Sequence, residues 1–254
     1  MRFALLGSGS RGNATVVEAG GTRILLDCGF GTRETVRRLA RLGLVPADLL
    51  GIVVTHEHTD HIAGAFKFAD RHGLTLWMSH GTQAGAGLRV ATARIEIIDS
   101  HRCFAAGALE IQPFPVPHDA REPVQFVFAD GRHRVGILTD AGSSTPHIER
   151  MLSGCDALVV ECNHDAAMLQ AGSYPPALKR RIGGRFGHLD NASAAGLMAV
   201  LDTGRLKHVV AAHLSEQNNT PALARAALAH ALGCTAEWID VATQDDGLGW
   251  RELA

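Results

Sequence analysis

The stretch VVTHEHTDHIAG, residues 53–64, sets His56, His58, Asp60 and His61 within six residues at the end of an apolar run. Any fold that accepts this stretch must end a buried strand here, turn into a helix, and let polar side chains converge at the turn. His56 and His58 are two apart, so an extended backbone points both rings the same way. Asp60 and His61 fall at the turn and face a second point a few ångströms away, a geometry that suggests two metal ions. Structural zinc sites are normally closed by four ligands and rich in cysteine, whereas His and Asp donors with open positions suit hydrolytic metals. A polar cluster that merely caps the helix is the bland alternative, but Asp60 alone would serve that purpose and three histidines would be left over.

Around this stretch, β-rich apolar runs alternate with helical patterns. TRILLDCGF reads as a strand ending at Asp27, and ETVRRLARLG as a helix with Thr32 as N-cap, Val36 and Leu39 on the buried face and Gly43 as C-cap. LLGIVVTH is a second buried strand, and IAGAFKFADRHG a helix that buries Ile62, Ala65, Phe66 and Ala69 and stops at Gly73. TLWMS, RIEIID and ALEIQPFPV are further strands, and VQFVFADGRHRVGILTDAG is a hairpin around Asp130-Gly131. DALVVEC and LKHVVAAHL are strands; NASAAGLMAVL is a helix capped near Asp190 or Asn191, and TPALARAALAHAL one with Thr220 as N-cap and Pro221 at its first turn. With no repeat and no linker, residues 1–254 read as one α/β (α+β) domain of two sheets covered by helices.

Composition excludes several classes. A chain with 46% hydrophobic and 20% charged residues is ordinary globular protein, and a formal net charge of −2 offers no overall basic field, so any polyanion must meet a local patch. Five cysteines, an odd number without a CxxC pair, read as reduced, mostly packed thiols of a cytoplasmic protein. The N-terminal apolar stretch Phe3 to Leu6 is too short for a signal peptide and nothing later reaches membrane-spanning length, so the expectation is a soluble protein without membrane contact.

The element His56-Glu57-His58-Thr59-Asp60-His61, preceded by Asp27 of LLDCG and followed in order by His118 of VPHD, Asp140 of LTDAG and His213 of AAHLS, resembles the metallo-β-lactamase superfamily. SGSRGN at the start, VECNHD at 160–165, YPPALKRRIGG with GHLDN, and HLSEQNN are more narrowly similar to its bacterial YycJ/WalJ exonuclease subfamily, described as acting on DNA from the 5′ end. The resemblance implies an αββα sandwich with a dinuclear site at one edge. It makes His56, His58 and His118 ligands of one metal and Asp60, His61 and His213 ligands of the other, with Asp140 bridging and Asp27 beneath, orienting ligands. Such a metal pair activates a hydroxide and stabilises the charge that develops on a phosphoryl group. Water is then the nucleophile, and no serine or cysteine is required.

Other residues carry two readings each. His188, just before a helix, resembles the histidine with which related nucleases donate a proton or hydrogen bond to the scissile phosphate, which makes it, with Asp60, a catalytic candidate; otherwise it bonds its own loop. Glu161, His164 and Asp165 follow a strand end and either reach the metals or substrate or tie the loop together. SGSRGN matches neither Walker A nor GxGxxG; it reads as a turn between the first two strands, with Ser10 and Asn13 toward the cleft. LKRRIGGR presents Lys179, Arg180, Arg181 and Arg185, either phosphate contacts or a solvated helix face.

Absences narrow the chemistry. The stretch after His213 is too short for the extra helical domain of glyoxalase II, and the interval from Asp140 to His213 is too short for a β-CASP insert. No long insertion resembles the tRNA-grasping arm of ribonuclease Z, and without an export signal an antibiotic-degrading lactamase is not expected. The expectation is therefore a metal-dependent phosphodiesterase, a 5′ to 3′ DNA exonuclease using two divalent ions, zinc, manganese or iron. The alternatives are a hydrolase of a small cyclic or phosphorylated metabolite and, less favoured because every ligand position is filled, a non-catalytic metal-stabilised scaffold or redox protein. DNA is the expected partner, no obligate protein partner is implied, and a homo-oligomer stays open.

Overall fold

The computed structural model describes residues 1–87 and 92–253. Among the described residues, the strands are β1 (Arg2–Gly7), β2 (Ala14–Ala19), β3 (Thr22–Leu26), β4 (Gly51–Val53), β5 (Thr75–Ser79), β6 (Ile95–Ile98), β7 (Phe104–Ala106), β8 (Leu109–Pro115), β9 (Val124–Ala129), β10 (Arg134–Leu138), β11 (Ala157–Glu161), β12 (His208–Ala212), β13 (Ile239–Val241) and β14 (Leu248–Glu252). They form two sheets of seven, ordered β14-β1-β2-β3-β4-β5-β6 and β13-β12-β11-β10-β9-β8-β7. In each sheet one half is antiparallel, as the hairpin β9–β10 illustrates, and the other half is parallel: β3 to β6 in the first, β10 to β13 in the second.

Strand alternation decides where the core lies. Val17, Ile24 and Val53 from the first sheet meet Ile111, Phe126, Val159 and Val210 from the second in one cluster of fully buried side chains. Full burial of each is worth about 1.5–3 kcal/mol. The opposite faces are covered by helices. α1 (Thr32–Arg41), α2 (Thr59–Ile62), α3 (Ala65–His72) and α4 (His80–Gly85) follow strands of the first sheet, whose outer cluster includes Leu39, Ile52, Ile62 and Phe68. α5 (Pro146–Leu152), α6 (Ala166–Ala171), α7 (Pro176–Ile182), α8 (Asn191–Val200) and α9 (Pro221–Leu232) follow strands of the second, where Ile148, Leu158, Leu197 and Leu228 pack together. The architecture is the expected αββα sandwich.

Two helices depart from the pattern read in the sequence. α1 begins at Thr32 with Gly31 as its cap, and it buries Thr35, Arg38 and Leu39, whereas Val36 is 37% exposed. The Arg38 guanidinium rotates the stripe: Nη1 donates to Leu6 O (2.7 Å) and Gln244 O (2.8 Å), and the group stacks 4.1 Å from the Phe30 ring. The segment 62–73 is not one helix but breaks between α2 and α3 at Gly64, whose N–H donates to Cys28 O at 2.8 Å and where a Cβ would collide with the Phe30 carbonyl. The caps Asp190 and Thr220 stand where expected, accepting from Ser193 N and Leu223 N. No helix among the described residues is long and apolar enough to cross a membrane.

Candidate metal centre

The carboxyl ends of the parallel strands in both sheets open onto one cleft. From the first sheet, Asp27 follows β3, Thr55 and His56 follow β4, and His58, Asp60 and His61 lie on the turn into and first turn of α2. Asp27 is buried and accepts from Thr55 N (2.8 Å), Thr55 Oγ1 (3.0 Å) and His61 Nδ1 (2.7 Å). The Thr55 hydroxyl has one proton; given to Asp27, it leaves the oxygen as acceptor for His56 Nδ1–H at 2.9 Å. The Nε2 lone pairs of His56 and His61 are thereby left for the cleft side. Thr55 is a functional residue that sequence reasoning missed, although its place between a strand end and the first histidine was the available signal.

The second sheet contributes roughly one residue per strand end. His118, after β8, has Nδ1 3.0 Å from Gly187 O, which can only accept, so Nε2 is again the free lone pair, 3.2 Å from His58 Nδ1. Asp140 lies two residues past β10, Glu161 ends β11 and His213 follows β12. Glu161 is fully buried; its Oε1 is 2.8 Å from His188 Nδ1 and 3.2 Å from His213 Nδ1, and its Oε2 accepts from Ala141 N (3.0 Å) and Leu189 N (3.1 Å). One carboxylate therefore orients two rings and two loops. Asp27, Asp140 and His213 are the only non-glycine residues with positive φ among the described residues, at 60°, 51° and 55°. Each such conformation costs about 1–3 kcal/mol, a strain typical of functional sites.

Donor atoms of four groups lie within 4.8 Å of one another: His56, His58 and His118; Asp60, His61 and His213; His56, His61 and Asp140; and Asp140, Glu161, His188 and His213. His56 Nε2 is buried without a hydrogen-bond partner, and the buried Asp140 Oδ2 has only His61 Nε2, at 3.0 Å, as its polar neighbour among the described residues. A buried unpaired polar atom costs about 1–3 kcal/mol, and a cation held by such atoms removes the deficit, so the donor set fits divalent ions. The protonation pattern agrees. Burial, then His61, pushes His56 far down, and burial likewise lowers His118. Burial also acts to lower His61 and His213, but Asp140 foremost among the carboxylates outweighs it, holding His61 well up and His213 at about 10. Burial raises Glu161, yet His188 more than offsets it and brings the carboxyl to about 2. Without metal, protons on His61 and His213 supply the positive charge that the buried carboxylates demand.

The remaining candidates are divided. Asn13 reaches the centre, its Nδ2 3.1 Å from His61 Nε2 and 3.3 Å from Asp60 Oδ2, and Ser10 lines the cleft. His188 also lines it, 3.4 Å from Asp140 Oδ1. His164 does not: it is buried against Asn163 (3.2 Å) and bridges in β fashion to Asp190. Asp165 caps α6 through Met168 N, so both tie the loop. Of the basic cluster, Lys179 bonds Gln170 O and Arg180 and Arg185 are exposed, whereas Arg181 lines the cleft and pairs with Asp119 at 2.5 Å. Asp119 and Tyr174, both on the cleft wall, were not singled out from sequence, where neither matches a ligand spacing.

The family model described as the β-lactamase superfamily domain matches residues 22–214. The chain is 34% identical over 235 residues to the exodeoxyribonuclease YycJ of Bacillus anthracis, covering 91% of this chain and 89% of that one. It is 31% identical over 236 residues to the exodeoxyribonuclease WalJ of Streptococcus pneumoniae, covering 91% and 88%. Among solved structures, Zn²⁺-bound PqqB from Methylobacterium extorquens superposes with a TM-score of 0.76 over 100% of both chains at 18% identity, a likeness of fold.

Proposed function

The chain belongs to the β-lactamase superfamily and is a metal-dependent hydrolase, and from that premise we propose that it is a phosphodiesterase acting on DNA, a 5′ to 3′ exonuclease with two divalent ions. The observation that carries this reading is the pairing of near full-length similarity to two exodeoxyribonucleases with a cleft in which His188, a non-motif imidazole held by a buried carboxylate, stands beside the donor cluster. His56, His58 and His118 would hold one ion and Asp60, His61 and His213 the other, with Asp140 as the carboxylate placed between them; Asp27 and Thr55 fix the rings.

When bound, the ions supply Lewis-acid activation of water and stabilise charge on the phosphoryl oxygens. The chain's own residues do the rest. Asp60, kept ionised chiefly by His61 against the cost of burial, accepts a hydrogen bond from the attacking water and so aims it. His188, its Nδ1 committed to Glu161 at 2.8 Å, presents Nε2 to the leaving oxygen and donates the proton that an alkoxide needs; Glu161 stabilises the imidazolium that makes this possible. Among the described residues no cysteine lines the cleft, and burial pushes the Cys28 thiol up to about 12, so the reading assigns no part to a thiol nucleophile.

Incubation of metal-loaded protein with a 5′-phosphorylated, internally labelled duplex, beside bis-p-nitrophenyl phosphate and a cyclic nucleotide, tests the reading. Stepwise release of mononucleotides from the 5′ end with steep salt dependence is expected. Turnover confined to the small esters would establish instead the second reading, a hydrolase of small phosphodiesters, which the formal net charge of −2 allows.

A further inference from the structure

One wall of the cleft takes no part in the chemistry above. Tyr174, Leu178 and Ile182 recur every four residues along α7 and the turn before it, all half-buried and all lining the cleft that holds Asp60, Asp140 and His188. α7 has no buried side chain, so this apolar stripe is not a core face. It is nonetheless held in place: Arg181 Nε donates to Asp119 Oδ2 at 2.5 Å, Lys179 Nζ to Gln170 O at 2.5 Å, and His188 N to Ile182 O at 2.8 Å. Tyr174 is the chain's single tyrosine and makes no hydrogen bond or ring contact among the described residues. The cleft encloses about 500 Å³, inside the range of small-molecule sites and far more than a phosphoryl group fills.

A ligand whose phosphate lies at the donor cluster therefore has an apolar, aromatic wall beside it in the same cleft. We propose that this wall is a nucleobase subsite, in which the base attached to the scissile phosphate stacks on Tyr174 and its sugar rests on Leu178 and Ile182. The inference rests on the nuclease reading and deepens it. A base stacked on Tyr174 has left its neighbour in the strand, so the enzyme grips a frayed or single-stranded terminal nucleotide. Stacking is tolerant of sequence, because every base offers a π-face. A free mononucleotide offers the same base and phosphate, and the assay distinguishes it from a strand end.

The test uses metal-loaded wild type, Tyr174→Ala, Tyr174→Leu and Tyr174→Phe. One arm follows quenching of 2-aminopurine, placed at the 5′ terminus of a phosphorylated oligonucleotide or supplied as the mononucleotide. The other compares kcat/KM for oligonucleotides with a normal and an abasic terminal residue. The ratio of normal to abasic is expected to fall about 5- to 150-fold in the Ala and Leu variants, with quenching lost in both and both properties kept in Phe. Stronger quenching of the oligonucleotide than of the mononucleotide identifies the strand end as the occupant; the reverse overturns that assignment. A ratio and quenching equal to wild type in Tyr174→Ala overturn the subsite while leaving the nuclease reading intact. Quenching that depends on Tyr174 in a protein that degrades no DNA upholds the subsite and overturns the nuclease reading.

Discussion

The two sheets build their halves of the centre in opposite ways. The first sheet assembles His56, His58, Asp60 and His61 from a single strand-to-helix turn, braced by Asp27 from the adjacent parallel strand. The second assembles His118, Asp140, Glu161, His188 and His213 from five separate segments, each near a different strand or helix end. Local geometry positions the first half. The second depends on strand registry: Leu138 pairs with Val160 and Glu161 with Ala212, which brings the ends of β10, β11 and β12 level. A contiguous half is robust to distant changes, whereas a dispersed half needs a hub, and Glu161 is that hub.

Breaking the comparison at its junction is expected to have the largest effect. Asp140 stands between the halves, 3.0 Å from His61 Nε2 and 3.5 Å from His213 Nε2. Asn tolerates its left-handed backbone, so Asp140→Asn is expected to fold, bind less metal in both positions and lose about 10³-fold or more in kcat. Two ions per chain by elemental analysis, together with full turnover, would refute the bridging role.

His188 tests the dispersed half without removing a proposed ligand. His188→Ala is expected to keep its metal and thermal stability yet lose about 10²- to 10⁴-fold in kcat on DNA, the range for a positioned proton donor. The deficit should be smaller on a p-nitrophenyl ester, whose leaving group departs unprotonated. Metal loss in this variant would make His188 a ligand, in line with its place in the Asp140, Glu161 and His213 group.

Thr55→Val probes the contiguous half. Removing the hydroxyl that links Asp27 to His56 should weaken metal affinity about 10- to 100-fold, as loss of a group that orients a ligand does. Competition with a chromophoric chelator measures this, and an affinity equal to wild type would show that the backbone alone aims His56.

The smallest effect is expected at the rim. With Lys179 engaged by Gln170, replacement of Lys179, Arg180 and Arg185 by Ala should lower the salt slope for duplex DNA by about 1.8, the share of two phosphate contacts. Small diesters should be hydrolysed as before. A slope unchanged from wild type would mark these residues as solvated surface.

Much of this was legible in the residues alone, for particular reasons. The motif at 56–61 is local, so its spacing carries its geometry. The β9–β10 hairpin and the Asp190 and Thr220 caps are local as well, written in turn and cap residues. Glu161 could be singled out but not given a task, because its partners are 27 and 52 residues away at His188 and His213. Val36 failed for a related reason: the 3.6-residue period located an amphipathic helix, but a distant carbonyl, Gln244 O, drew Arg38 inward and turned the stripe.

What the sequence by itself determined was the layering of two sheets under helices and, through the family resemblance, a candidate metal-ligating set, since alternation, caps and the spacing at 56–61 act over a few residues. What only the tertiary structure decided was the division of labour around that set. The left-handed backbones at Asp27, Asp140 and His213, the Glu161 hub, the loop roles of His164 and Asp165, and the Tyr174 wall all depend on which strand and helix ends are brought together. Contacts of that kind arise from sheet registry and packing across tens of residues, and no local pattern encodes them.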